Sequence, residues 1–485
     1  MKSPFKTLFI REIQGAIIDF RFWVVMALCL SVIPLSFYVS VKNYSQRMSD
    51  YQQEVQAYRD RTGSIGSHIS AEGVHPPSPL SIFSQGLGNK MPQKVITSRN
   101  GNYRIVYAKP DGKRDLLGEI DFAFIVAFVL SILAIVFTFS AISGDKESGV
   151  LRGVLSNAVL RRQVLMAKLL GNYIVFLVPF LLAMLVALLI VYVSGVIPIF
   201  SKELFPAVLV MIGLSLIFLF ALFNLGLWVS ALTQNSILSI NVLLLLWIIL
   251  GLVIPKLSPI IGAVIYPVES IDVFETKKTQ LRINIEREQY KEEEALYENL
   301  RAQLYPGSRG VSSGGGQWDV LNSAYDEQVK PINERYDQQI ISEITQLTND
   351  YNNRCNRQNN MARNISMLSP ISSISNLLAE FSGTGNSEID NFMQQAAQFQ
   401  ATVKQEIYDR YFYKIYRSRG STTSYADKIG EFDAKDIPIP VLDNYRFVSI
   451  AKIFQQNWAD VALLGFYCLL FFVCGFVSFL RFDVR

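Results

Sequence analysis

Residues 143–171 read SGDKESGVLRGVLSNAVLRRQVLMAKLLG, a charged run bounded by the apolar segments 121–142 and 172–192. Asp145, Lys146 and Glu147 lead into an apolar face at Val150, Leu151, Val154 and Leu155, and Gly149 and Gly153 permit close backbone approach. Ser156-Asn157 is a turn and N-cap signal, after which Arg161 and Arg162 open a second helix. Two short helices with exposed charges and a partly apolar face suit docking into a groove of a soluble partner. The spacing alone suits equally a positively charged loop that only fixes membrane topology.

Working outward, the class of protein follows from the flanks. Half of the 485 residues are hydrophobic, 18% are charged, and the mean hydropathy is positive, which is the balance of a membrane protein. A spanning helix needs about 20 mostly apolar residues, and the windows 22–41, 121–142, 172–192, 207–232, 237–254 and 459–480 qualify. The expected fold is therefore all-α and membrane-embedded, with six spans. Residues 255–267 remain apolar but contain Pro255, Pro259 and Pro267, so a re-entrant or interfacial piece is expected there. Residues 1–21 read as an interfacial amphipathic helix, with Phe5, Leu8, Phe9, Ile13, Ala16 and Ile17 on one face and Lys2, Lys6, Arg11 and Glu12 on the other. This segment lacks the short basic start and the small-residue cleavage site of a signal peptide.

Two polar insertions interrupt the spans. Residues 42–120 combine a short helix (YQQEVQAYRDR), an irregular proline- and glycine-rich piece, and alternating residues around Asn100-Gly101 that predict a hairpin, giving a small mixed α/β unit. Residues 268–456 are mainly helical. Two charged helical runs on either side of SRGVSSGGGQ predict an αα-hairpin, a solvated arm with apolar positions too sparse for a strong coiled coil. Pro331 is expected to interrupt or kink its second limb, two further helices follow, and DIPIPV is expected to be extended. Lysine and arginine near the span ends (Lys2, Lys6, Arg11, Arg21; Lys146, Arg152, Arg161, Arg162, Lys168; Arg481, Arg485) place both termini and the 143–171 segment in the cytosol, and both insertions outside.

Several chemistries find no residues to carry them. No GxxxxGK[ST] occurs; Gly112-Lys113 lacks both the preceding glycine and the following hydroxyl residue. HExxH and CxxC are also absent from the sequence. His68 and His75 lack an accompanying ligand cluster, so no metal is expected. Cys29, Cys468 and Cys474 lie in apolar helices and Cys355 stands alone, which implies no intrachain disulfide framework. A net charge of +4 gives no case for a nucleic-acid partner. Within the spans, Asn224 and Asn241 are expected to hydrogen-bond between helices rather than touch substrate. Glu119 and Asp121, at the outer edge of the second span, suit a solvated helix N-terminus better than an exit guard. No acidic residue lies at mid-membrane, which argues against a proton- or sodium-coupled carrier.

The run ESGVLRGVLSNAVLRRQVLMAKLLG resembles the signature of the ABC type-2 permeases, through Glu147, Gly149, Leu151, Leu155, Ser156, Arg161, Lys168, Leu169 and Gly171. Val150 stands where the family has threonine and Ala158 where it has proline. PPSPLSIFSQGL, ARNISMLSPISSISNLLAEFSGTG and the terminal RFDVR are similar to the subgroup with large outer insertions. The resemblance implies the type V ABC exporter fold, and a six-span subunit paired with a second permease chain in a homodimer or heterodimer. It also implies two copies of a cytosolic ABC ATPase that binds Mg-ATP, with no cofactor in this chain. Residues 1–21 would be the connecting helix of an inner-membrane protein in contact with lipid. Asp145, Glu147, Gly149, Leu151, Arg152, Leu155, Arg161, Arg162 and Lys168 would form the ATPase-coupling surface. Export or extraction of a substrate is the expected function, with the outer insertions engaging an extracytoplasmic partner or a bulky substrate. A mechanotransmission scaffold that transports nothing is the alternative.

Overall fold

The computed structural model describes residues 4–62, 71–87, 91–97, 103–107, 120–156, 159–306, 316–408, 412–415, 424–427, 442 and 445–481. Among these, six helices are long and apolar enough to cross a membrane. The chain starts with α1 (Pro4–Ile18) and α2 (Phe20–Thr62). Composition turns polar after Val41, yet the helix does not stop. Gln, Glu, Ala and Arg are good helix formers in water, so the first span and the short helix expected after it form a single rod. The second span is α3 (Phe122–Phe124), a π turn (Ile125–Leu130) and α4 (Ser131–Thr138). Then come α5 (Ser143–Glu147), α6 (Val150–Leu155), α7 (Arg161–Ser194) and α8 (Phe205–Leu232).

The fifth span is α9 (Ser236–Ile248), a π turn (Ile249–Val253) and α10 (Ile254–Ile265). Residues 255–267, expected as a separate piece, instead continue this helix as far as Ile265. The hydrogen bonds that proline cannot donate are replaced locally. Pro259 has no N–H for the Pro255 carbonyl, and the Ser258 hydroxyl donates to it at 3.1 Å. The Leu250 carbonyl, within the π turn, accepts from the Ser369 hydroxyl.

Small residues let the spans approach closely. A Cβ on Gly226 of α8 would lie 1.9 Å from Thr138 Oγ1, and one on Gly171 of α7 would lie 3.0 Å from Glu12 Cβ of α1. Around these contacts Phe176, Phe180, Phe218 and Phe223 are fully buried.

At the end of the bundle opposite α5 and α6, the arm consists of α11 (Ile271–Leu304) and α12 (Gly316–Ser366). Phe274 stacks on Tyr351 at 4.2 Å, Gln289 donates to Asn333 at 2.6 Å, and Tyr297 meets Tyr325 at 5.7 Å. The two helices are thus antiparallel, as expected, and the joint lies outside the described residues. Pro331 sits inside α12 without ending it, on an exposed stretch of the helix. The last turns of α12 run beside α10, where Gly262 meets Gln358 and Ala362.

Next is α13 (Pro370–Phe381), the helix that departs furthest from expectation. Instead of belonging to the outer domain it inserts among the spans, with Ile374, Leu377 and Leu378 fully buried. Its neighbours are α8, both π turns, and the last span.

The small unit is a three-stranded antiparallel sheet: β1 (Ala71–Val74), β2 (Pro92–Thr97) and β3 (Tyr103–Tyr107). Thr97 opposite Tyr103 has the register of the expected hairpin, whose Asn100-Gly101 tip is outside the described residues. α14 (Asn386–Val403) packs Phe392, Ala396 and Phe399 on this sheet. The His75 side chain, 7% exposed, packs here, its Nε2 3.2 Å from Tyr445 Oη, and Tyr445 donates to Glu388. Burial pushes the Glu388 carboxyl up, but the His75 ring 3.9 Å away and hydrogen bonds from Tyr445, Val448 N–H and Asn391 outweigh it and hold the group below its usual range. His68 and DIPIPV lie outside the described residues. A two-stranded sheet, β4 (Phe412–Ile415) and β5 (Ser424–Asp427), was not anticipated. The chain closes with α15 (Ile450–Gln456) and the sixth span α16 (Trp458–Leu480).

Candidate functional site

The second span ends at Thr138, and residues 139–142 turn the chain into α5. The first N–H groups of a helix have no partner within it. Here Ser230 of α8 supplies one: its Oγ accepts from Ile142 N–H at 3.0 Å and Ser143 N–H at 2.9 Å. Lys146 then reaches the C-terminal end of α8, donating to the carbonyls of Ala231 and, at 2.9 Å, Thr233. Glu147 accepts from Ser236 N–H at 3.2 Å, in the first turn of α9. A cation meets a helix C-terminus and an anion a helix N-terminus, the signs that the helix dipoles favour. The five residues of α5 therefore clasp the α8–α9 turn.

A second set of contacts ties α5 to α1 and α7. Lys168, only 6% exposed, places its ammonium 2.6 Å from Asp145 and 3.2 Å from Glu12. Arg21, at the start of α2, donates to Ser140 Oγ at 2.7 Å and lies over the Phe139 ring. Gly149, with φ of 75°, makes the turn into α6 that an L side chain would strain. At the head of α7, Arg161 donates to the Leu480 carbonyl at 2.7 Å, on the last residue of α16.

These contacts sort the residues expected at the coupling surface. Asp145, Lys168 and Arg161 are engaged within the chain, and Leu151 is 1% exposed against the core. Leu155 is half-buried. Gly149, Arg152 and Arg162 are exposed, as is Glu147 outside its bond to Ser236, and with them stand two apolar side chains, Val150 at 42% and Leu160 at 53%. Glu12, Arg21, Lys146 and Ser230 escaped sequence analysis as members of the site. A hydroxyl in the last turn of a span, such as Ser230, was the one available signal.

The polar residues of the spans also have definite places. Asn224 donates to the Phe220 carbonyl of its own helix at 2.9 Å, rather than to a neighbour as expected, because the carbonyl one turn back is the nearest acceptor in an apolar setting. Asn241 is exposed on α9. Asp121 is buried, not solvated: it caps α3 through Phe124 N–H at 2.7 Å and accepts from Gln85 N–H at 2.8 Å. Glu119 lies outside the described residues.

A family model described as ABC-2 family transporter protein matches residues 7–484. The chain belongs to the ABC-2 transporter family. No curated protein matches it. An ABC-2 permease is the membrane component of an ABC transporter and works in general with an ABC ATPase. In this ABC-2 permease the clasp is built on charge. Lys168→Met strands Glu12 and Asp145, whose side chains are 24% and 28% exposed, so that water restores part of the loss. The expected cost is about 2–3 kcal/mol, read as a lowered melting temperature of the purified chain. The triple variant Glu12→Gln, Asp145→Asn, Lys168→Met strands no charge and recovers part of the loss. Equal melting of the single and triple variants would contradict this account.

Proposed function

We propose that this chain is the permease subunit of an ABC transporter whose ATP is hydrolysed by a separate cytosolic ATPase, and that the ATPase docks on the ridge of Gly149, Val150, Arg152, Leu160 and Arg162. The observation that carries this reading is the clasp behind the ridge. α5 is bonded to the ends of α8 and α9, Arg161 to the end of α16, and Lys168 to α1. A push on the ridge thus reaches several spans at once. Apolar side chains between two arginines suit a partner groove with an acidic rim. Only a difference in ATPase contact between its ATP-bound and free arrangements can drive the change.

Two ATPase copies and a second permease chain complete this assembly in the inner membrane, with both termini cytosolic. Mg-ATP sits in the ATPase, and no cofactor is assigned to this chain. The fifth span supports a paired permease. It is 17% buried, the least of the six, and carries Asn241 on an exposed face where an amide in hydrocarbon requires a partner. Opening toward the arm end would require α13 to leave its place among the spans.

To test the docking face, Arg152→Glu with Arg162→Glu is combined with the co-expressed ATPase. The exposed side chains leave the fold intact, while ATP turnover of the complex falls about tenfold, the equivalent of about 1.4 kcal/mol of docking energy. Undiminished assembly and turnover would reject the face.

The alternative, a mechanotransmission scaffold, is favoured by one observation. The fifth span runs through α10 to the arm, and Arg363 of α12 is bonded at 2.7 Å to Asp460 of the sixth span, so span motion reaches the arm directly. In sealed vesicles, the permease reading predicts ATP-dependent movement of substrate across the bilayer. ATP turnover with no movement of peptide, lipid or lipoprotein would favour the scaffold.

A further inference from the structure

Under α1 lies a cleft of about 260 Å³, walled by α1 on one side and by α4, α5, α6 and α7 on the other. Its floor is apolar, with Phe137, Leu151 and Val164, and its rim is charged. The charges do not cancel pair by pair. Lys168 brings one positive charge to two carboxylates, Glu12 and Asp145, which leaves one negative charge in excess on side chains that remain open to the cleft. Arg21 is matched by Asp19 at 3.7 Å. Arg11 lines the cleft and has no ion-pair or hydrogen-bond partner among the described residues. Among the described residues, one unpaired guanidinium and one excess carboxylate charge thus face the same small space, a receptor for a zwitterion.

The surroundings define the kind of zwitterion. α1 presents Ile10, Ile17 and Ile18 outward, and Phe20 begins α2 with 77% of its surface exposed. An amphipathic helix with such a face lies at headgroup depth, so the cleft opens where phospholipid headgroups are. Its volume falls below the roughly 300–1,000 Å³ of pockets that enclose a drug-sized molecule, which leaves room for a headgroup and not for acyl chains.

We propose that this cleft binds the headgroup of a zwitterionic phospholipid with a primary ammonium, an ethanolamine headgroup. The phosphodiester sits on Arg11, the ammonium donates to Glu12 and Asp145, and the acyl chains follow the apolar face of α1. A choline headgroup has no N–H to donate to the carboxylates, and a glycerol headgroup has no cation. This site lies behind the ridge proposed for the ATPase and does not depend on that reading.

The test uses the full chain in nanodiscs of equal parts phosphatidylcholine, phosphatidylethanolamine and phosphatidylglycerol, followed by native mass spectrometry of the lipids retained in mild detergent. The ethanolamine lipid should be retained at least about threefold over each of the others. Arg11→Ala, at an exposed position, should melt like the parent chain and lose the preference, and Arg11→Lys should restore part of it. Equal or greater retention of either other lipid, or an unchanged preference in Arg11→Ala, would overturn the proposal. Soluble O-phosphoethanolamine carries the same charges without the chains. At equal concentration it should leave the lipid in place, and displacement would overturn the assignment to a lipid.

Discussion

One buried ammonium, on Lys168 of α7, joins three parts of the chain by charge. A lysine taken out of water is costly unless opposite charge surrounds it, and here Glu12 comes from α1 and Asp145 from α5. α1 lays Leu8, Ile13 and Ala16 against the bundle, whereas α5, Ser143–Glu147, has no apolar residue of its own. With Lys168 satisfied, α1 is fixed across α7 at Gly171, and α5 is in position for Ser230, Lys146 and Glu147 to close on the α8–α9 turn. The exposed ridge of α6 rests on that construction.

At the other end of the bundle, π turns take the place of charge. Both the second and fifth spans carry one, and both touch α13. They are also joined to each other, since Trp247 donates to Ser131 Oγ at 2.8 Å, just past the first π turn. A π turn leaves a carbonyl without its usual intrahelical partner, and the Ser369 hydroxyl at the head of α13 takes the one at Leu250. Helix, bulges and cap form one polar arrangement within an otherwise apolar bundle.

The spans were legible in the sequence because hydrocarbon allows few alternatives to a helix of apolar residues. The arm was legible from its charged helical runs, and the helix that opens at Arg161 from the arginine pair. The break at Gly149 that divides 143–155 into α5 and α6 was not, since that glycine suggested close backbone approach and instead has open space around it. The fate of the charges was not legible either. Asp145, Arg161 and Lys168 look like any solvated cytosolic residues, and their partners Leu480 and Glu12 lie far away in sequence. α13 was expected in the outer domain as part of the polar stretch 268–456; nothing local reveals that two π turns make room for it among the spans. The end of α2 was missed for a simpler reason: hydropathy marks where a membrane ends, not where a helix does.

The central claim is that the ridge formed by α6 and the head of α7 faces the ATPase. The most direct measurement places a photo-cross-linking amino acid at Val150 or Leu160, and at Ile341 on the arm as a control, in cells that also make the ATPase. The account predicts cross-linked ATPase at Val150 and Leu160 and none at Ile341. ATPase captured from the arm, or from neither ridge position, would contradict it.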